Sequence, residues 1–169
     1  MDIPVFPGAL CQKYAVTAAL DDEVFADDYL ALLDGHANLA DALALAPQDM
    51  AACYREGAEA YQAGEYSTAA RAFFLLTFLR PDDGQLHLAL GSALQQLGES
   101  ASALMHFSSA ADLSPQDPGA LFRVAECQAS LEEREGAREA LRRCLDLCAT
   151  HATAPGLYQR ASALMDQLH

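Results

Sequence analysis

The chain has 169 residues and a formal net charge of −14, a length that suits one domain or one short repeat array. So acidic a chain repels phosphate backbones and anionic lipid surfaces, which argues against nucleic-acid partners and against direct membrane binding. Alanine (35) and leucine (26) supply over a third of the residues, whereas valine and isoleucine together number five. That balance points away from a β-rich fold and towards helices with small residues at close contacts, and 52% apolar residues is too many for a disordered acidic tail.

Residues 1–20 match no pattern and are where disorder is expected. Met1-Asp2-Ile3-Pro4-Val5 has no basic region of the kind that opens a signal peptide. The longest apolar run, Ala72 to Leu79, falls far below the ~20 residues that span a bilayer, so a cytoplasmic protein is expected. Residues 21–49 carry eight acids and no Lys or Arg. Within them Val24, Phe25, Tyr29, Leu32 and Leu33 recur at helical spacing, Gly35 breaks the pattern, and Leu39, Leu43 and Leu45 form a second short stripe before Pro47. This helical leader is either a cap packed on the helices after residue 50 or an element paired or exchanged in a homodimer, with Phe25, Tyr29, Leu32 and Leu33 as its dimerisation residues.

From residue 50 the chain repeats itself every 34 residues. Gly57 returns as Gly91 and then Ala125, Ala69 as Ala103 and Ala137, Phe73 as Phe107 and Leu141, Gly64 as Gly98, and Pro81 as Pro115. Each unit reads as two helices. Asp49, Asp83 and Asp117 are candidate N-caps of the first helix, the last of them followed by Pro118. Gly64 and Gly98 end that helix in the left-handed conformation. Ser67 and Ser100 are candidate openers of the second helix, which the prolines stop. Small residues at 57/91/125 and 69/103/137 let the paired helices approach, and the aromatic at 73/107 fills the space beside them. The third unit departs, with Glu132 in the glycine position and Ala149 in the proline position, so a less regular turn is expected there. A last helix, about Pro155 to Leu168, supplies the end cap that such arrays need.

This spacing of Gly, Tyr66, Ala, Phe and Pro resembles the tetratricopeptide repeat. The resemblance implies an all-α fold, a tetratricopeptide-repeat superhelix of three helix–turn–helix repeats over 50–83, 84–117 and 118–151, with the leader over 21–49 and a capping helix over 152–169. It also implies a concave face lined by the first helix of each pair. The family's lining positions fall on Tyr54, Ala58, Tyr61 and Gln62, on Leu88, Ser92, Gln95 and Gln96, and on Phe122 and Glu126. The bases that grip a carboxylate in tetratricopeptide co-chaperones are missing from these positions; Arg55 and Arg123 fall one residue off the stripe. The groove therefore suits an extended segment with apolar anchors, tyrosine offering contact area at little rotamer cost. Tyr54 and Phe122 have a plainer reading as packing between helices.

Beyond the repeats, the chain resembles the class II chaperones of bacterial type III secretion (the SycD/LcrH/IpgC type). The likeness rests on Leu32-Leu33-Asp34-Gly35 with Leu39 and Leu43, on Tyr61-Gln62-Ala63-Gly64-Glu65-Tyr66 with Ala69 and Phe73, on Leu90-Gly91 with Gly98, and on Ala125-Glu126-Cys127. It implies a cytoplasmic chaperone that masks an apolar N-terminal stretch of hydrophobic translocator proteins in its groove and keeps them export-competent, and a homodimer formed through the N-terminal helix. A tetratricopeptide scaffold for another bacterial assembly shares the fold and differs in its client.

No catalytic residue, cofactor or metal is expected. His36, His87, His106, His151 and His169 form no visible constellation with Ser, Cys or Asp. Cys144, Cys148 and His151 could share a helix face, but a fourth metal ligand is missing, and the plainer reading is a pair of small buried hydrophobes. The five cysteines form no C-x-x-C pair and are read as reduced thiols.

Overall fold

In a computed structural model the structure describes residues 38–42, 44–151 and 155–168. The described residues form helices and no strand: α1 (Leu39–Ala42), α2 (Pro47–Gln62), α3 (Tyr66–Leu79), α4 (Gly84–Gln96), α5 (Ser100–Leu113), α6 (Pro118–Ser130), α7 (Arg134–His151) and α8 (Pro155–Gln167). The chain divides into two compact units, one up to Asp82 and the other from Asp83. Val24, Phe25, Tyr29, Leu32, Leu33 and Leu43 lie outside the described residues.

The helix ends follow local chemistry. Asp83 and Asp117 cap α4 and α6 through side chains that accept from Gln85 N at 3.0 Å and Gly119 N at 2.8 Å. The expected Asp49 cap is displaced. Helix α2 starts earlier, with Ala46 at the cap and Pro47, pre-set for a first helical position, behind it, so Asp49 falls within the first turn. Ser67 and Ser100 do not cap either. The caps of α3 and α5 are Glu65 and Glu99, with no side-chain hydrogen bond, because the preceding turn delivers the chain straight into the helix.

That turn is the same in all three helix pairs. In the first, Gly64 N donates to Tyr61 O and Glu65 N to Ala60 O; Gly98 with Glu99, and Glu132 with Glu133, repeat the pattern. Gly64 and Gly98 take φ of +79° and Glu132 takes +63°. The third turn is therefore as regular as the others, contrary to expectation, and Glu132 carries the strain of a left-handed backbone with a Cβ. Glu132→Gly should accordingly raise stability by up to about 1 kcal/mol, the relief of ~1–2 kcal/mol being offset in part by the freer unfolded chain. A higher thermal midpoint by circular dichroism would bear this out; an unchanged or lower one would count against it. The missing proline has the opposite consequence. With Ala149 in place of Pro81 and Pro115, α7 runs for 18 residues where α3 and α5 stop at 14.

Within each pair the helices close on a matched set of residues. Ala69, Ala103 and Ala137 have no exposed surface. A Cβ added at Gly57 would stand 2.8 Å from Phe73 Cε1, and one at Gly91 would stand 2.7 Å from Phe107 Cε1. The third pair reaches the same closeness with the volume redistributed, Ala125 standing where glycine was and Leu141 where phenylalanine was, both fully buried.

The first unit packs α2 on α3, and the short α1 lies against them: Leu39, Ala40 and Leu79 form a small cluster bordered by Leu45, Met50 and Leu75. Asn38 is buried, accepts from Asp41 N and donates to Asp82, tying the start of α1 to the segment after α3. In the second unit the core runs through α5, α6, α7 and α8, centred on Phe107, Leu121, Leu141, Cys144 and Ala161. Helix α8 packs along α7, and Arg138 donates to the carbonyl of Leu168.

The cysteines at 53, 127, 144 and 148 are buried free thiols. Burial, with Cys148 beside it, pushes the Cys144 thiol up to about 12, and burial with the Glu126 charge pushes Cys127 to about 11. Cys127 and Cys144 therefore stay protonated at neutral pH and act as small apolar groups, Cys144 donating to Pro118 O. Among the described residues no three His, Cys, Asp or Glu side chains gather as a metal site.

One part-buried polar contact should make the stability of the second unit depend on pH. His87 of α4 and His106 of α5 bring their Nδ1 atoms to 3.1 Å, which requires one ring to donate and the other to accept. Burial, with the His87 charge adding to it, holds the His106 imidazole below its usual 6.5. A base with a depressed folded pKa binds its proton more readily in the unfolded chain. Its penalty is therefore absent above about pH 6.5 and grows as pH falls from there through the folded pKa. The thermal midpoint should thus be flat above neutrality and fall below pH 6.5, and His106→Gln should flatten the slope between pH 6.5 and 5. A wild-type midpoint constant down to pH 5 would contradict this.

Candidate peptide-binding face

The first helix of each pair buries one stripe against its partner and leaves a flanking stripe for other contacts. On α2 the buried stripe is Cys53, Gly57 and Ala60. Tyr54, Ala58, Tyr61 and Gln62 flank it at i, i+4, i+7 and i+8, one side of the helix. Tyr54 is 42% exposed. Its ring meets that of Phe73 at a tilt, with centroids 5.4 Å apart. Tyr61 is half-buried and packs edge-on against Tyr66 at 5.3 Å. Gln62 is exposed. Both tyrosines thus rest against a second aromatic from α3, which restricts their rotamers.

In the second unit the predicted positions have different characters. Leu88 is half-buried on the core. The Ser92 hydroxyl donates to the Leu88 carbonyl at 2.8 Å, so its donor is used within α4. Gln95 is half-buried and Gln96 exposed. Phe122 is only 4% exposed and belongs to the core. Glu126 is half-buried, with Oε2 3.0 Å from Arg123 and Oε1 3.2 Å from Arg160 of α8. The Arg160 guanidinium lies over the Phe122 ring, 4.5 Å from its centroid.

Sequence reasoning missed Arg160. A signal existed: Ala58, Ser92 and Glu126 are 34 apart, and the next step in that register is residue 160. Arg123, set aside as one residue off the stripe, reaches its edge through the pairing with Glu126.

No family model matches the chain. It is 28% identical over 108 residues to low calcium response locus protein H of Yersinia pestis, a match that covers 64% of either chain; the chain thus spans about two thirds of that relative's length. The structure of the type III secretion translocator chaperone SycD of Yersinia enterocolitica superposes with a TM-score of 0.72 at 25% identity, covering 79% of this chain and 99% of SycD. PcrH of Pseudomonas aeruginosa, solved in complex with the chaperone binding region of PopB, is 30% identical, with a TM-score of 0.67 and coverage of 71% and 97%. This chain belongs to the type III secretion translocator chaperones of the SycD type. In this translocator chaperone Tyr54 is both 42% exposed and in ring contact with Phe73. The remaining predicted positions of this chaperone range from solvent-facing amides to a phenylalanine covered by an arginine.

Proposed function

We propose that the protein is a cytoplasmic chaperone of a type III secretion system. It holds hydrophobic translocator proteins by an extended apolar segment laid on the first helices of its repeats, and so keeps them soluble and export-competent. The observation that carries this reading is the likeness to PcrH, whose structure holds the chaperone binding region of PopB. The chemistry of the first helices agrees with it. Tyr54 and Tyr61 offer braced aromatic area, and Gln62, Gln95 and Gln96 offer amides that can bond an extended main chain. No helix among the described residues is long and apolar enough to cross a membrane. The same reading includes a homodimer formed through Phe25, Tyr29, Leu32 and Leu33.

The test is capture from the native bacterium, followed by coexpression of whatever is captured. A secreted protein with membrane-spanning segments should come down with the wild-type chain and should be insoluble when expressed without it. Recovery of soluble housekeeping proteins alone would replace the secretion chaperone with a scaffold for another assembly.

A further inference from the structure

The first helix of the third pair offers a client something other than the apolar anchor its sequence suggests. Phe122 is almost wholly covered, and part of its cover is the Arg160 guanidinium stacked on its ring. The surface at this place is therefore the guanidinium itself, whose side chain is 58% exposed. It is held on two sides, by the ring beneath and by Glu126 Oε1 at 3.2 Å. Glu126 in turn shares its other oxygen with Arg123, so two arginines and one glutamate leave this patch at +1 within a chain of −14. Neither neighbouring first-helix surface cancels it: α4 contains no acidic residue, and the acid of α8, Asp166, lies six residues beyond Arg160.

We infer that Arg160 is a specificity-determining residue of the client site, there to receive an acidic side chain of the bound segment. This rests on the proposed function and refines it. A guanidinium fixed against an aromatic face has lost much of its rotamer freedom before any ligand arrives, and it presents planar donors that match a carboxylate. In a chain that otherwise repels anions, one braced cation selects a segment by where its acid falls. The partner is thus an extended client segment with a Glu or Asp aligned with residue 160.

The experiment uses the full chain and three pools of end-blocked synthetic nonapeptides with Leu or Tyr at alternate positions. The pools differ at one scanned position, set to Glu, Gln or Leu. Binding is read by fluorescence anisotropy at low and high salt. At the favoured position the wild type should bind the Glu pool about threefold to fivefold more tightly than the Gln pool, as befits a partly exposed charge pair, and salt should shrink the difference. Arg160→Gln should abolish the preference, Arg160→Lys should keep part of it, and matching circular dichroism melts would show that α8 stays in place. An equal Glu preference in Arg160→Gln would overturn the inference. So would a gain in Leu-pool binding by that variant, since it would make Arg160 a cover over Phe122 that the client must displace. Binding of all three pools without any Glu preference would also overturn it while leaving the chaperone reading intact. Failure of the wild type to bind any pool, together with failure to capture a translocator, would remove both.

Discussion

Phe107→Ala should cost about 3–5 kcal/mol, the largest loss expected from truncating any one side chain of this core. The ring has no exposed surface and lies against Gly91, where even a methyl group would stand 2.7 Å from Cε1. Truncation leaves a void between α4 and α5 that neither backbone can close without losing the contacts of Ala103 and Ala110, both buried beside it. A sharper test comes from the opposite direction. Gly91→Ala should cost about 1–3 kcal/mol by overpacking. The third helix pair shows how the molecule accommodates the methyl group, because Ala125 faces Leu141 there and both are fully buried. Gly91→Ala combined with Phe107→Leu should therefore be more stable than the sum of the single losses, with a coupling energy of about 0.5–3 kcal/mol. Urea denaturation followed by circular dichroism measures all four corners of the cycle. Simple additivity would mean that the close approach at residue 91 does not decide the choice of aromatic at 107.

Tyr54→Ala with Tyr61→Ala should weaken client binding by at least a hundredfold while leaving the chain helical. Aromatic side chains at the centre of an interface each cost about 2 kcal/mol or more on truncation, roughly thirtyfold, and pairs in contact with one ligand fall short of full additivity. The stability cost is smaller, about 1 kcal/mol for each lost aromatic pair, because Tyr54 is already 42% exposed. Phe122→Ala does not belong in the same variant: its ring is core, and its removal would confuse misfolding with loss of contact. Tyr61→Phe is the control, keeping the ring against Tyr66 and removing only the hydroxyl. The measurement is titration calorimetry with the chaperone-binding fragment of the captured translocator. Wild-type affinity in the double variant would move the client elsewhere on the chain.

The helix pairs themselves were legible in the amino-acid order because they rest on local chemistry. A glycine at φ +79°, an aspartate accepting from the amide two residues on, and a proline that cannot continue a helix each act within a few residues. The 34-residue period then repeats those local decisions. Local signals were also where the reading slipped: Glu132 takes the glycine conformation because the two helices it joins are held by their own packing, and Pro47 displaced Asp49 as the start of α2. The candidate site was legible to the same depth. Spacing placed Tyr54 and Tyr61 on one side of α2, since a helix fixes which residues share a face. Spacing could not say that Phe122 turns into the core, that His87 meets His106, or that Arg160 lies over Phe122 and grips Glu126. Those contacts join helices, and they depend on crossing geometry and rotamers set by all the residues between them. The sequence by itself thus determined the repeat, its turns and its acidic character. The tertiary structure alone decided which of the repeated positions are exposed and which are covered, because burial belongs to the packed helices and not to any one of them.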